Sequence, residues 1–546
     1  MSVVLQQGKP WIVQKYGGTS LGKLLPAITG TIIPQYLKDY NVAVVCSALS
    51  GTTKSMGTTS LLLQAIDYTM GPLRNQTELN RTIDVIKDQH LEASRVIQSQ
   101  VDYAGDGNIF EELDAGIRKD CEKLRSFLAA AQTIGEVSAR SKDRVLATGE
   151  KLACRLVVAS LMSRGIEAKM VTLEDIVEKA YSDDLYKQRV AYDELGPHFF
   201  DQLAVEIGKR LEACGEAVPV VTGFFGMMPT SMLQSVGRGY SDLCAAMCAV
   251  STFAAELQIW KEVDGIFTAD PRKVPSARLL ATVTLEEASE LTYYGSEVIH
   301  PFTMQQIRNA NIPLRLKNVK NPEGNGTIIY PSQTGTNSPK SESEASSVSG
   351  SVSDSAIFSF MSANGYYGKS QSRRAPTALT TKDNIVLINI QSNRQKKSHG
   401  FLAQVFNKLD EANAVADLIT SSEQSVSLAI SSLEDDAVKL DRLIASLEKC
   451  GKVEVLQNVA IVSVIGHKMR NMVGIAGEIF SKLASGGVNI YLIGQGASEI
   501  NISLVVQRDD ALLAMDIIHT HVLGISKHPE HTPIVQNSLM KGPWLF

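Results

Sequence analysis

Lys15-Tyr16-Gly17-Gly18-Thr19-Ser20 places a cation, two glycines and two hydroxyls at the exit of an apolar run, Trp11 to Val13, that reads as a buried strand. Such a set can hold an anion. Adjacent glycines let backbone N–H groups converge without Cβ interference, a helix starting near Ser20 adds its positive end, and Lys15 adds a full charge. The combination suits a polyphosphate, although the common phosphate loop GxxxxGK[ST] is absent. An ordinary strand-to-helix turn with a solvated lysine would read the same way, so the stretch gains meaning from four further turns.

The second turn, Ser47-Ala48-Leu49-Ser50-Gly51-Thr52-Thr53, offers hydroxyls and N–H groups to a carboxylate or a transferring phosphoryl, though Ser/Gly/Thr turns are common in plain loops. The third, Ala147-Thr148-Gly149-Glu150-Lys151, sets Glu150 in the first turn of an expected helix Leu152–Met162. There its carboxylate either complements the helix dipole or faces a substrate ammonium. The fourth, Gly237-Arg238-Gly239-Tyr240-Ser241-Asp242, opens an expected helix Leu243–Ala255. Arg238 between glycines can meet a small carboxylate bidentately, while Asp242 either caps the helix or orients a lysine or a hydrated metal ion at a phosphate. The fifth runs from Trp260 to Arg272. Phe267 could stack on a base there, and Lys261 and Arg272 could reach phosphates.

The elements that must position these turns alternate between β-branched runs, such as Val42–Val45, Val218–Val221 and Leu257–Trp260, and helical stretches, the longest spanning roughly 77–131. That alternation predicts an α/β domain over residues 1–330 with a mostly parallel sheet sandwiched by helices, its ligands at the carboxyl ends of strands. Residues 331–378 are rich in Ser and Glu with few large apolar side chains, the composition of a flexible linker. Beyond it lies an internal repeat. A shift of 74 residues lays Gly400–Leu409 over Gly474–Leu483 and Val426, Leu428 and Ile430 over Ile500, Ile502 and Leu504. Each unit reads strand, Gly turn, amphipathic helix, strand, strand. The expected boundaries are 379–456 for the first α+β module, completed by 530–546, and 457–529 for the second. Two structural modules would satisfy the pattern, as would two ligand sensors with an anion pocket at each Gly turn.

Bulk properties narrow the class. A chain of 546 residues calls for roughly three or four domains. A net charge of −5 gives no reason to expect nucleic acid or an anionic membrane as partner, and no apolar stretch approaches the roughly 20 residues that span a bilayer. The short polar start, Met1 to Pro10, reads as neither a signal nor a transit peptide. Seven cysteines, an odd number, argue for a reducing, cytoplasmic setting. Cys244 and Cys248 lack the companions of a zinc set and read as core.

Taken in order, the five turns resemble the aspartate kinases of the amino-acid-kinase fold. Lys15–Ser20 stands for the KFGGTS signature, Gly237–Asp242 for a GRGGSD-like turn, and Asp264–Arg272 for a DGVYTADPR-like loop. Tyr294–Pro301 is similar to a G-x-x-V-[LI]-H-P segment, and the duplicated modules look like paired, ferredoxin-like ACT domains. The resemblance implies that Lys15, Tyr16, Gly17, Gly18, Lys261, Glu262, Phe267, Arg272, Glu297 and Val298 bind ATP. It implies that Ser47, Thr53, Glu150, Arg238, Gly239 and Ser241 bind L-aspartate, and that Lys15 and Asp242 are catalytic. Glu297 and Lys261 depart from many bacterial relatives, which carry a lysine and a small polar residue there, as if charge were exchanged across one site.

The implied reaction is ATP-dependent phosphorylation of the aspartate side chain to 4-phospho-L-aspartate, the first step toward threonine, methionine and isoleucine. Mg²⁺ would be held mainly by the phosphates, with no protein metal site. The aspartate β-carboxylate is already ionised at neutral pH, so no general base is required, and His300 reads as structural. The first module is implied to bind an inhibitory end-product amino acid, threonine for this fungal-like pattern, through Gly400, Asp417, Ser421, Ser422 and Glu423. A homodimer or homotetramer through the modules is expected. A kinase of glutamate or acetylglutamate fits the fourth and fifth turns poorly. A decayed, purely sensing domain would not be expected to keep Lys15, Glu150, Arg238 and Asp242. A fused homoserine dehydrogenase has no room in the short stretch of chain after the second module.

Overall fold

The computed structural model describes residues 8–331, 376–392, 400–431, 437–495 and 500–525, apart from positions 52, 71–72, 102–107, 227, 229–230, 233–235, 238, 294–298, 468 and 470–471. Two compact units emerge, residues 1–266 with 299–352, and residues 267–298 with 353–546. The segment 267–298, expected in the first domain, thus groups with the C-terminal modules. The expected linker falls almost entirely outside the described residues, as does the segment 530–546 expected to complete the first module. Among the described residues, no helix is long and apolar enough to cross a membrane.

The first unit is built on strands β1 (Trp11–Tyr16), β2 (Asn41–Cys46), β3 (Ala168–Val171), β4 (Val218–Thr222) and β5 (Glu256–Lys261). After β6 (Thr282–Thr284), which belongs to the second unit, it resumes with β7 (Leu314–Asn318) and β8 (Thr327–Tyr330). The order is β3-β4-β2-β1-β5-β7-β8, with every pair parallel except β7–β8. β2 is buried at every position, as expected for a strand covered on both faces. The long expected helix is two helices, Gln76–Ser99 and Ile109–Ile134, which bury Leu and Ile against each other and against Ala139–Met162, and that third helix packs on β2, β3 and β4.

Parallel order decides where the turns go. β1 lies between β2 and β5, and chains leave the sheet on either side of it, so the carboxyl ends of β4, β2, β1 and β5 open on one crevice. Lys15, Ser47, Gly223 and Glu262 all stand at that edge.

The second unit carries β9 (Ala378–Ser392), β10 (Ala416–Ser421), β11 (Ser425–Ser431), β12 (Gly451–Ile465), β13 (Ile490–Gly494) and β14 (Asn501–Gln507) in one sheet ordered β10-β11-β9-β12-β14-β13. Helices Phe401–Glu411 and Ile475–Ser485 stand 74 residues apart, each preceded by a glycine at φ 84°, and they bury matching residues: Phe401, Val405 and Leu409 against Ile475, Ile479 and Leu483. The two long strands bend at matching points as well. Asn384 (φ 59°) and Asn458 (φ 60°) are also 74 apart, and asparagine adopts the left-handed region more easily than most residues. Past the bend, the first residues of β9 pair with the end of β12, Ala378 with Ile465 and Thr381 with Val462. The second module is therefore closed by chain that precedes the first.

Candidate active site

Lys15 and Tyr16 follow one another on β1 and so face opposite sides of the sheet. Lys15 is 7% exposed, and its Nζ meets Asp242 Oδ1 at 2.6 Å. Tyr16 points the other way, fully buried, stacked on Trp260 at 6.0 Å and donating to Gln14 Oε1 at 3.0 Å. Its side chain therefore belongs to the core, as strand alternation assigns it, and only its backbone stands at the turn.

Gly17 precedes the helix Gly18–Ala27, and no side chain caps that helix. Its first N–H groups have no acceptor within the helix, and its dipole is positive at this end. A Cβ on Gly17 would meet nothing within 4 Å, whereas a Cβ on Gly18 would overlap the Ala48 carbonyl oxygen. Gly18 thus brings the first and second turns together, sealed by Ser50 N–H donating to Gly18 O at 3.1 Å. The crevice side of Gly17 stays open. This arrangement fits an incoming phosphate chain.

Further contacts tie the remaining turns in. Ser20 Oγ donates to Glu262 Oε1 at 2.7 Å, and the hydroxyls of Ser47 and Ser241 lie 2.9 Å apart. The helix of the fourth turn is Tyr240–Ser251, and its cap is Gly239 at φ 92°. Asp242 therefore sits inside the first turn rather than at the cap, and its carboxylate is turned to Lys15. Lys261 is half-buried, with its backbone carbonyl held by Val319 N–H at 2.9 Å.

Glu150 shows the largest departure from expectation. Its helix begins at Ala139 with Ser138 as cap, so Glu150 lies in mid-helix, where complementing the dipole is not its role. The residue is 2% exposed; Oε1 accepts from the Tyr240 hydroxyl at 2.5 Å, and Oε2 has no hydrogen-bond partner among the described residues. Burial pushes the carboxyl up to about 7, opposed by the Tyr240 hydrogen bond, the N–H groups of Glu150 and Ala48, and the charge of Lys15. A buried carboxylate oxygen without a partner is expensive unless a cation arrives to meet it.

The remaining expected residues make other local contacts. Thr53 is exposed, and its hydroxyl lies 3.0 Å from that of Ser55. Phe267 and Arg272 belong to the second unit, where Phe267 bridges Leu279 and Arg272 grips Asp270 through Nε at 3.1 Å and a terminal nitrogen at 2.7 Å. Arg238, Glu297 and Val298 lie outside the described residues. His300 caps the helix Pro301–Asn309: its Nδ1 accepts from Phe302 N–H at 3.2 Å, which leaves Nε2 to donate to Val236 O at 2.6 Å. Sequence reasoning gave Tyr240 and Asp143 no role and counted Ser20 only among the hydroxyls of its turn; Asp143 needs the fold to be placed. Its carboxylate accepts Met232 N–H at 2.9 and 2.8 Å and anchors the approach to the fourth turn.

In the second unit the expected effector residues divide. Ser392 N–H donates to Gln424 O at 2.8 Å, which sets the end of β9 against the exposed hairpin holding Ser421, Ser422 and Glu423. Gly400 opens the helix that follows β9. Asp417 lies toward the other end of β10, bound to Lys382 Nζ at 2.6 Å and to the Ser431 hydroxyl at 2.8 Å.

Residues 10–318 match the model of the amino acid kinase family, and residues 462–522 match an ACT domain. The chain is 45% identical to an aspartokinase of Candida albicans, over 94% of this chain and 90% of that protein. It is 42% identical to one of Schizosaccharomyces pombe, over 98% and 97%. Among solved structures, Escherichia coli aspartokinase III in complex with aspartate and ADP shares the fold at a TM-score of 0.61 and 24% identity, covering 94% of this chain and 99% of that one. The aspartate kinase of Clostridium acetobutylicum does so at 0.68 and 21%, covering 94% and 100%.

Proposed function

Given that the chain belongs to the amino acid kinase family, among its aspartate kinases, we propose that its first unit transfers the ATP γ-phosphoryl to the side-chain carboxylate of L-aspartate. The observation that carries this reading is the buried Glu150, with one oxygen partnered and the other without a partner among the described residues, beside the Lys15–Asp242 pair. One crevice thereby offers an anion for a substrate ammonium and a cation for a phosphate.

The aspartate β-carboxylate needs no base, since its ordinary pKa near 3.9 leaves it ionised. One of its oxygens attacks the γ-phosphorus as the bond to the β,γ-bridging oxygen breaks, giving 4-phospho-L-aspartate and ADP. The obstacle is repulsion between two anions. Lys15, oriented by Asp242, and the N–H groups opening the helix Gly18–Ala27 offset the charge on the transferring phosphoryl. Mg²⁺, held mainly by the phosphates, would add charge neutralisation when bound. Glu150 Oε2 takes the substrate ammonium, and Ser47, Gly239 and Ser241 border the acceptor; Arg238 takes the α-carboxylate by family resemblance. ADP release measured with L-aspartate, L-glutamate and N-acetylglutamate tests the assignment. Turnover is expected with L-aspartate, and equal or better turnover with either alternative refutes it.

The C-terminal modules are proposed to bind an inhibitory amino acid, threonine, at Gly400 and the Ser421–Glu423 hairpin, and to join chains into a dimer or tetramer. Engagement of Asp417 by Lys382 and Ser431 makes it a support rather than a ligand contact. This control suits the first committed step toward threonine, methionine and isoleucine. Seven free cysteines fit a cytoplasmic location. Titrating threonine and lysine against activity tests the control, and no response to either removes it.

A further inference from the structure

We propose that Tyr240 is a positioning residue for the acceptor site: its phenol fixes Glu150 by one oxygen, so that only Oε2 is presented to the substrate ammonium. The inference rests on the reading of Glu150 as the ammonium site. Where the family signature GRGGSD has glycine, this chain has a side chain able to donate. Gly239, at φ 92°, turns the chain so that Tyr240 starts the helix with its ring edge-on to Phe224, 6.1 Å away at 82°. Tyr240 is 7% exposed, so its hydroxyl has little freedom, and it reaches Glu150 Oε1 at 2.5 Å. Burial, followed by the nearby Glu150 charge, holds the phenol protonated, which makes it a permanent donor.

A glutamate in mid-helix has three rotatable bonds and two equivalent oxygens. Without the phenol, the carboxylate keeps only the N–H groups of Glu150 and Ala48 as neighbouring donors, and either oxygen could meet the ligand. With it, one oxygen is committed and the approach direction of the ammonium is set. The other ionisable groups around the pair are Lys15 on β1, Cys154 on the same helix, Cys244 on the helix Tyr240–Ser251, and Asp143, which acts on the phenol. Of these, Lys15 is paired with Asp242, so no other cation in this set is free to replace the phenol.

Tyr240→Phe keeps the ring against Phe224 and removes only the hydroxyl. In steady-state assays of the full chain, KM for L-aspartate is expected to rise about tenfold, the usual scale for a lost hydrogen bond to a charged group. KM for ATP and kcat should stay within about twofold. The acid-side rise in the aspartate KM should also begin at higher pH than in the wild type. An unchanged aspartate KM, or equal rises for both substrates, overturns the proposal. The second arm places Tyr240→Phe in a Glu150→Gln background, where no buried charge depends on the phenol. There the aspartate KM should match that of Glu150→Gln alone within about twofold, and a further tenfold rise overturns the proposal. Failure of the wild-type chain to phosphorylate L-aspartate would instead defeat the functional reading beneath it.

Discussion

Replacing Glu150 by Gln should make the free protein more stable and a poorer enzyme. Burial raises the Glu150 carboxyl to about 7, against an ordinary 4.5. Between those two pH values the native chain holds a proton that the unfolded chain has lost, so this group's contribution falls as pH rises through the window. Above pH 7 the full cost of keeping the charge buried remains. At about 1.4 kcal/mol for each tenfold change in proton activity, it amounts to about 3 kcal/mol. Because the residue is nearly inaccessible, solvent screening reduces this little. Glutamine accepts the same Tyr240 hydrogen bond without the charge.

Thermal unfolding of both proteins at several pH values measures the effect. The Glu150→Gln advantage should be about 3 kcal/mol at pH 8, a rise of several degrees, and under about 1 kcal/mol at pH 5, where wild-type Glu150 is already protonated. Kinetics should move the other way. The wild-type KM for L-aspartate should be about tenfold higher at pH 6 than at its high-pH plateau, since only the ionised carboxylate meets the ammonium. Glu150→Gln should show a KM raised at least tenfold with no such pH dependence. A variant less stable than the wild type at pH 8, or one with an unchanged aspartate KM, refutes the reasoning.

Lys15→Ala should lower kcat about 10²–10³-fold, and it should also cost about 3–5 kcal/mol, because it leaves Asp242 buried and unpaired. Adding Asp242→Asn should restore much of the stability but none of the turnover, as denaturation and ADP-release assays would show. Gly17→Ala should fold normally and raise KM for ATP, since its Cβ meets no protein atom; Gly18→Ala should destabilise by about 1–3 kcal/mol or more through overlap with Ala48, and comparing the two melts separates the roles. His300→Ala should cost about 1 kcal/mol through the lost cap while turnover stays within about tenfold, and a complete loss of activity in a folded variant would give His300 a chemical role.

Much of this architecture was legible locally. The apolar runs at Trp11, Val42, Val218 and Leu257 are strands, and the 74-residue repeat places both module helices to the residue. The failures also have local causes. Gly149 reads as the end of a loop, but it lies inside a helix, at a point where a Cβ would come within 2.8 Å of the Ala48 side chain. That glycine serves close packing of the helix on the second turn, and mistaking it for a breaker moved Glu150 to a helix start. Asp242 has the composition of a cap, yet Gly239 supplies the left-handed residue and frees the carboxylate for Lys15. Asp417, which the 74-residue register sets opposite Tyr491, meets Lys382 of β9, a contact between strands that local pattern does not show.

The contacts that turn the motifs into a site were not legible, and strand order explains why. Ser20 meets Glu262 because β1 and β5 are neighbours, and Gly18 O accepts from Ser50 because β1 and β2 are. Ser47 meets Ser241 beside the Gly223 turn, where β2 and β4 are paired and Gly223 N–H donates to Cys46 O at 2.9 Å. Each joins turns on adjacent strands, whereas the residues involved can be more than two hundred positions apart. Local pattern identifies which residues end strands, but says nothing about which strand lies beside which. The same turns on a sheet threaded β1-β4-β5-β2 would keep every motif and lose these contacts. The crevice chemistry therefore depends on topology as much as on residue type, and Tyr240, reaching Glu150 from 90 positions away, is the clearest instance.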